Sequence, residues 1–270
     1  MNRITLIISV FFSISFSFSQ QYHYVGARSG SMANASVALV DGWSFFHNPG
    51  ALGAVDKPEF GVSYESRFLL KDLQSQSVAF VFPIKIGVLS VGAFLSGLDV
   101  YRTTKIGTGY SLKLTDKLFA GVQLNYQDVR FAGNYGSKYT VSAECGIYFK
   151  MTERWKFGVS VFNLNRARIS SALEERLPTV MRLGTTFEIS PKVLFAVEIE
   201  KNSDFQARLK SAVEYKPIKN FFLRGGFTSK PIEFTFGFGY RFRKIQLDLG
   251  SAYHQLLGWS PNFSLTYKFD

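Results

Sequence analysis

The sequence predicts an all-β transmembrane protein, an outer-membrane β-barrel of about fourteen antiparallel strands closed around an N-terminal plug. Three observations carry this reading. The chain opens on an export signal, its apolar residues from Glu59 onward recur at every second position, and its interstrand links alternate between short and longer.

The export signal comes first. Met1-Asn2-Arg3 is a short basic start, and residues 4–18 are apolar apart from Thr5 and scattered serines. Ser17-Phe18-Ser19 is a small-x-small pattern that a signal peptidase cuts, which sets the mature start near Gln20. Roughly fifteen apolar positions are too few to span a bilayer as a mature helix, and no later stretch approaches the roughly eighteen that would. No Cys follows the cleavage region to carry a lipid anchor. The expected division is a signal peptide over 1–19, a plug or hatch over 20–57 and a transmembrane barrel over 58–270, with the mature protein integral to a bacterial outer membrane.

The strands follow from the two-residue rhythm. Phe234, Phe236, Phe238, Tyr240 and Phe242 alternate with Thr235, Gly237, Gly239 and Arg241. A strand sends successive side chains to opposite faces, so one face here is aromatic and the other small or polar. Ile245, Leu247 and Leu249 repeat the pattern against Gln246, Asp248 and Gly250. In order, the rhythm predicts strands near 59–66, 75–82, 86–96, 105–114, 118–129, 138–149, 156–164, 179–188, 193–201, 207–216, 221–228, 233–242, 245–253 and 262–269. Tight turns are expected at Pro83-Ile84-Lys85, Thr115-Asp116-Lys117, Ser190-Pro191-Lys192, Pro217-Ile218-Lys219 and Arg243-Lys244. The intervening links, near 67–74, 97–104, 130–137, 165–178 and 254–261, are mostly longer, as the external loops of a barrel are. The longest, Asn165 to Pro178, carries Arg166, Arg168, Glu174, Glu175 and Arg176. A soluble sandwich has no reason to alternate its links in this way.

Composition narrows the function classes. The 28 Phe and 13 Tyr suit a sheet that faces lipid, and Trp155, Tyr126, Tyr139, Tyr215 and Trp259 lie near strand ends, where interfacial girdles sit. The net charge of +11 is spread along an exported chain, which argues against nucleic acid and for anionic lipid head groups, including lipopolysaccharide. Cys145 is alone and shares the apolar face of Val141, Ala143 and Ile147, so neither a disulfide nor a thiol redox pair is available. His23, His47 and His254 lie in unrelated segments without metal-ligand spacing. His254, expected in an external loop, has Ser251 and Ser260 nearby but no Gly-x-Ser-x-Gly around either. The chain is therefore expected to be non-enzymatic and to use no cofactor and no metal.

Gln20 to Lys57 lacks the strand rhythm. Ser29 to Ala38 is rich in small residues, His47-Asn48-Pro49-Gly50 is a turn, and Trp43, Phe45 and Phe46 call for burial, which places the segment inside the barrel. Inward-facing positions of the second half carry Arg182, Glu188, Glu198, Glu200, Arg208, Lys210, Glu214, Arg224, Arg241, Asp248 and Lys268. Charges of both signs on neighbouring strands imply cross-strand pairing and a filled lumen rather than a greasy conduit. Such a barrel is expected to show no large stable conductance in planar bilayers.

Gly26-Ala27-Arg28 through Ser36 to Ala38, then Asp41-Gly42-Trp43-Ser44, then Asn48-Pro49-Gly50-Ala51-Leu52-Gly53, resembles the entry segment of the PorV and PorQ proteins of Bacteroidota type IX secretion systems. That family is similar to the FadL channels, and both groups are fourteen-stranded barrels with an N-terminal hatch. Here Gly50 stands where the family has Ala, and the external loops are short for the family. Leu265-x-Tyr267-x-Phe269 resembles the C-terminal signal read by barrel-assembly machinery, although Asp270 follows it. The resemblance implies an accessory subunit of a larger outer-membrane protein secretion or assembly complex, with larger outer-membrane proteins as partners. The alternative is a FadL-like passive channel for small hydrophobic compounds, with a lateral gap in the wall near a glycine kink such as Gly107 or Gly109.

Overall fold

The computed structural model describes residues 23–98, 101–131, 137–168 and 176–270. The expected export signal over 1–19 lies outside these residues, as do Gln20 and Gln21 of the entry segment and Glu174 and Glu175 of the longest link.

Alternation of apolar and small residues builds a sheet that closes on itself. Its strands are β1 (Glu59–Ser66), β2 (Gln74–Ile84), β3 (Gly87–Gly97), β4 (Tyr101–Lys113), β5 (Leu118–Phe131), β6 (Ser137–Lys150) and β7 (Trp155–Phe162). The second half adds β8 (Val180–Ser190), β9 (Val193–Asn202), β10 (Arg208–Ile218), β11 (Phe221–Ser229), β12 (Ile232–Phe242), β13 (Ile245–His254) and β14 (Gly258–Lys268). Each strand pairs antiparallel with its neighbours in sequence, and β1 pairs with β14 from Glu59↔Lys268 to Glu65↔Asn262. Closure matters because a sheet edge in lipid leaves backbone groups with no partner, and a ring has no edge.

The two faces separate as the rhythm requires. On β12, Phe234, Phe236, Phe238 and Tyr240 are each 44–48% exposed on the outer wall, while Thr235 and Gly239 are buried inside. Rings from different strands join the outer belt, with Phe236 of β12 edge-on at 5.2 Å to Trp259 of β14, across β13. Cys145 stands on the same outer side, opposite Val122 and Val161. An apolar belt of this kind is stable in hydrocarbon and unstable in water. Phe236→Arg is therefore expected to weaken folding into lipid vesicles by about 2–4 kcal/mol, read from urea titrations, and an unchanged midpoint would contradict a lipid-facing β12.

One end of the barrel is closed by tight turns, including Lys85-Ile86, Pro191-Lys192, Lys219-Asn220 and Arg243-Lys244. The other end is mixed. Lys230-Pro231 alone joins β11 to β12, whereas residues 67–73 and 163–179 form longer links. The expected link 254–261 contracts to 255–257, because His254 and Gly258 still pair in the β13–β14 ladder. His254 is thus the last residue of β13, not a loop residue, and it faces inward. Strand β7 ends at Phe162, short of residue 164, because Asn163 takes a left-handed φ of 57° and turns the chain inward.

Gly107 and Gly109 mark no gap. Gly107 pairs with Gly92 on one side and Asn125 on the other, and Gly109 with Ser90 and Gln123. Their missing side chains make room inside: a Cβ on Gly107 would stand 2.2 Å from Asn125 Oδ1 and 3.1 Å from the Phe45 ring. The core of the molecule is accordingly the barrel interior, where Trp43, Phe45, Phe46, Leu52 and Val55 pack on Val81, Val88 and Phe94.

Candidate functional site

Residues 23–57 cross the lumen in three short turns, each set against a different arc of wall. Helix α1 (Ala27–Ser31) packs on β11 to β14, a 3₁₀ turn over Gly42–Phe46 on β1 to β3, and α2 (Pro49–Leu52) on β4 to β7. No turn is long enough to hold itself together, so caps and wall contacts fix each one. Asp41 caps the 3₁₀ turn: its carboxylate accepts from the Trp43 N–H at 3.0 Å, while the Ser44 hydroxyl accepts from the Asp41 N–H. Asn48 caps α2, accepting from the Gly50 N–H at 2.9 Å, and Pro49 fills the first helical position.

The motif residues are the ones that touch the wall. Arg28 spans Asp41 and Glu214, each at 3.0 Å, and so ties α1 to the 3₁₀ turn and to β10. The Trp43 indole N–H donates to Thr266 Oγ1 at 3.1 Å, and the Ala27 N–H to Ser264 Oγ at 3.1 Å. The Asn48 amide donates to the carbonyls of Val37 and Ile147, at 2.7 and 3.0 Å. The glycine at position 50 has a steric cause, since a Cβ there would lie 2.5 Å from the Gly146 carbonyl oxygen. Gly26 holds a left-handed φ of 92° against the Trp43 ring.

At the centre stands Arg182, whose side chain is 1% exposed. It donates to Glu198 through Nε at 2.7 Å and Nη2 at 2.9 Å, and to the His47 carbonyl, the Asn34 carbonyl and Ser36 Oγ at 3.1, 2.9 and 3.0 Å. Glu198 in turn accepts from the backbone N–H groups of Ser36 and Val37, both at 2.9 Å. Lys210 bridges Glu198 and Glu200 at 3.1 and 2.7 Å, and Arg208 meets Glu200 at 3.1 Å. Arg224 joins Glu214 at 2.7 Å to Asp248 at 2.6 Å. The remaining expected inward charges have partners of their own: Glu188 pairs with Lys156, Lys268 with Glu59, and Arg241 donates to the Gln246 amide at 2.9 Å. Charges so deeply buried persist only when paired and hydrogen-bonded, and here the hatch backbone completes the shell.

The inward charges of the first half escaped the sequence reading. Lys105 and Glu144 pair at 2.6 Å, and Glu59 accepts from the Gly42 N–H at 2.8 Å while pairing with Lys268. The two-residue rhythm that placed the second-half charges places these as well. Leu265, Tyr267 and Phe269 line the outer wall at the turn end, with Tyr267 and Phe269 rings 4.8 Å apart.

Above the hatch, at the loop end, a cavity of about 280 Å³ remains. Tyr24, Gly30 and Asn34 of the hatch form its floor, and small wall residues such as Ser63, Ser77 and Ser260 leave it room. Phe68 and His254 meet edge to face at 6.0 Å on its lip.

No family model and no curated protein matches the sequence. Solved structures do match over nearly the whole chain. A monoaromatic hydrocarbon channel, CymD, superposes with a TM-score of 0.74 at 14% identity, covering 91% of this chain and 97% of that one. The Ralstonia pickettii toluene transporter TbuX gives 0.66 at 12% identity, over 91% and 98%. A Pseudomonas aeruginosa FadL homologue gives 0.62 at 13% identity, also over 91% and 98%. The fold is that of the FadL-like outer-membrane barrels, and it points to the outer membrane. The likeness to PorV and PorQ rests on the entry-segment motif alone.

Proposed function

We propose, taking the FadL-like barrel as premise, that this protein is a passive outer-membrane channel for small hydrophobic compounds, with residues 23–57 as its hatch. The observation that carries the proposal is the cavity of about 280 Å³ held between hatch and wall at the loop end. In this reading the loop end faces outward and the cavity is the entry site. Its size admits one ring rather than a long chain, at the small end of ligand pockets. The named activities of the similar barrels, a monoaromatic hydrocarbon channel and a toluene transporter, support the same solute class. The accessory-subunit reading draws on the entry motif and the short loops and gains nothing from the cavity.

The hatch separates this channel from a porin. Its polar backbone is hydrogen-bonded to the wall through Glu198, Arg182 and Thr235, so water and ions have no straight path. The purified protein in lipid vesicles is expected to speed entry of a single-ring aromatic compound over empty vesicles while giving no steady porin-like conductance steps in planar bilayers. Steady steps, or aromatic uptake no faster than in empty vesicles, would overturn the proposal.

A further inference from the structure

The hatch closes the cavity from below, and we infer that a small uncharged ring passes it along β2 and β3, with Phe45 as the gate. This inference rests on the channel reading and assigns its route. Of the fourteen strands, β2 and β3 alone contain no charged residue, and they are neighbours. Their inward faces descend from the cavity in paired rows, Ser77 with Phe94, Ala79 with Gly92 and Val81 with Ser90. Hatch side chains complete an apolar column against them. Val25 and Phe94 border the cavity, Phe45 and Leu52 follow, and Val55 and Val88 lie near the turn end.

A second observation concerns what fastens the hatch. Its hydrogen bonds reach β1 through Glu59, β14 through Thr266, β9 through Glu198, β8 through Arg182 and β4 through Ser111. Among the described residues none reaches β2 or β3, where the contact is apolar. Parting the hatch from this arc breaks dispersion contacts that a solute ring restores, whereas elsewhere it would strand a buried polar group. A rival apolar cluster sets Met32, Ala35 and Leu39 against Ala196 of β9 and Ala212 of β10. Those strands also carry Glu198 and Lys210, which bond the hatch backbone at Ser36, Val37 and Asn34. The third observation is steric. Phe45 is fully buried, its ring set against Gly92 and Gly107, which pair across β3 and β4. A Cβ on Gly92 would stand 2.6 Å from Phe45 Cδ1, so glycine is what leaves the ring its slot. That slot lies midway down the column, and the ring closes it until it swings aside. The ladders joining β2, β3 and β4 are unbroken beside it, so the column opens at the turn end rather than through the wall.

Cysteine labelling in lipid vesicles tests the route. In a Cys145→Ala background, which removes the one native thiol, Ala79→Cys reports the β2–β3 column and Ala212→Cys the rival cluster. Both alanines are buried to the same degree, at 2% and 3% exposed. The probe is N-phenylmaleimide, an uncharged single-ring thiol reagent. It is expected to modify the Ala79→Cys protein about tenfold faster than the Ala212→Cys protein, and excess toluene should slow the faster reaction. Adding Phe45→Ala to Ala79→Cys should speed labelling by about tenfold more, with no ionic steps in planar bilayers. Equal labelling of the two cysteines, faster labelling at position 212, or no protection by toluene would overturn the route. Labelling unchanged by Phe45→Ala, or ionic steps in that variant, would show that the ring fills or anchors the hatch and does not gate it. Vesicle uptake separates the two readings. Toluene entry through the wild type no faster than into empty vesicles sinks the channel and this route with it, whereas accelerated entry alongside any of the contrary labelling results sinks the route alone.

Discussion

Arg182→Met is expected to unseat the hatch while the barrel stays closed. The wild-type guanidinium makes two bonds to Glu198 and one each to the Asn34 carbonyl, the His47 carbonyl and Ser36 Oγ. Methionine fills much of the same volume and satisfies none of them. Glu198, itself 1% exposed, would keep Lys210 and two hatch N–H groups but lose its bidentate partner. Removing one member of a buried pair costs about 3–5 kcal/mol, because the other charge stays behind in a poor solvent. The β8 backbone ladder to β7 and β9 does not depend on this side chain. The loss therefore falls on the hatch, which has no ladder of its own and is held by its hydrogen bonds and packing against the wall. Hydrogen exchange of amides in residues 23–57 should speed up by roughly 10²–10³-fold, while β8 amides hold their protection. Arg182→Lys keeps the charge without the fork and should fall between the two proteins. Unchanged hatch exchange in the Met variant would mean that the cluster does not hold the hatch.

Much of this arrangement was legible in the sequence, for a physical reason. Strand periodicity is local, so Phe234 to Phe242 declares its two faces without knowledge of any partner. The inward charges of β8 to β13 are legible for the same cause, and the rule extends to Lys105 and Glu144. What a period cannot give is the partner across the ring. Closure sets β1 against β14 and brings Glu65 within range of Glu233, two strands further round, which no local pattern encodes. The hatch presents the same difficulty in another form. Its small residues signal close packing, but which wall residue each one meets depends on the path of a chain with no period. Gly107 and Gly109 illustrate the error that follows: a glycine in a strand signals either a kink or a close neighbour, and here the neighbours are Phe45, Asn125 and Ser90.

The same ambiguity sets up a contrast between adjacent residues. Gly158 of β7 faces inward and Val159 outward, where it is 40% exposed. A Cβ on Gly158 would stand 2.1 Å from the Val37 carbonyl oxygen and 2.6 Å from its carbonyl carbon, both backbone atoms of the hatch. Val37 cannot retreat without breaking its N–H bond to Glu198 and the bond its carbonyl accepts from the Asn48 amide. Gly158→Val is thus expected to displace the hatch around residues 36–48, whereas Val159→Leu on the lipid side should leave it seated. The direction is diagnostic, because valine favours strands and glycine does not, so strand propensity alone predicts a more stable wall. Limited proteolysis in detergent reads the outcome: cleavage within 23–57 should rise sharply in the Gly158 variant and stay at the wild-type level in the Val159 variant. In planar bilayers the Gly158 variant should also open ionic steps that the wild type lacks. A Gly158→Val protein with a protease-resistant hatch and no conductance would show that the wall glycines are not what lets the hatch seat.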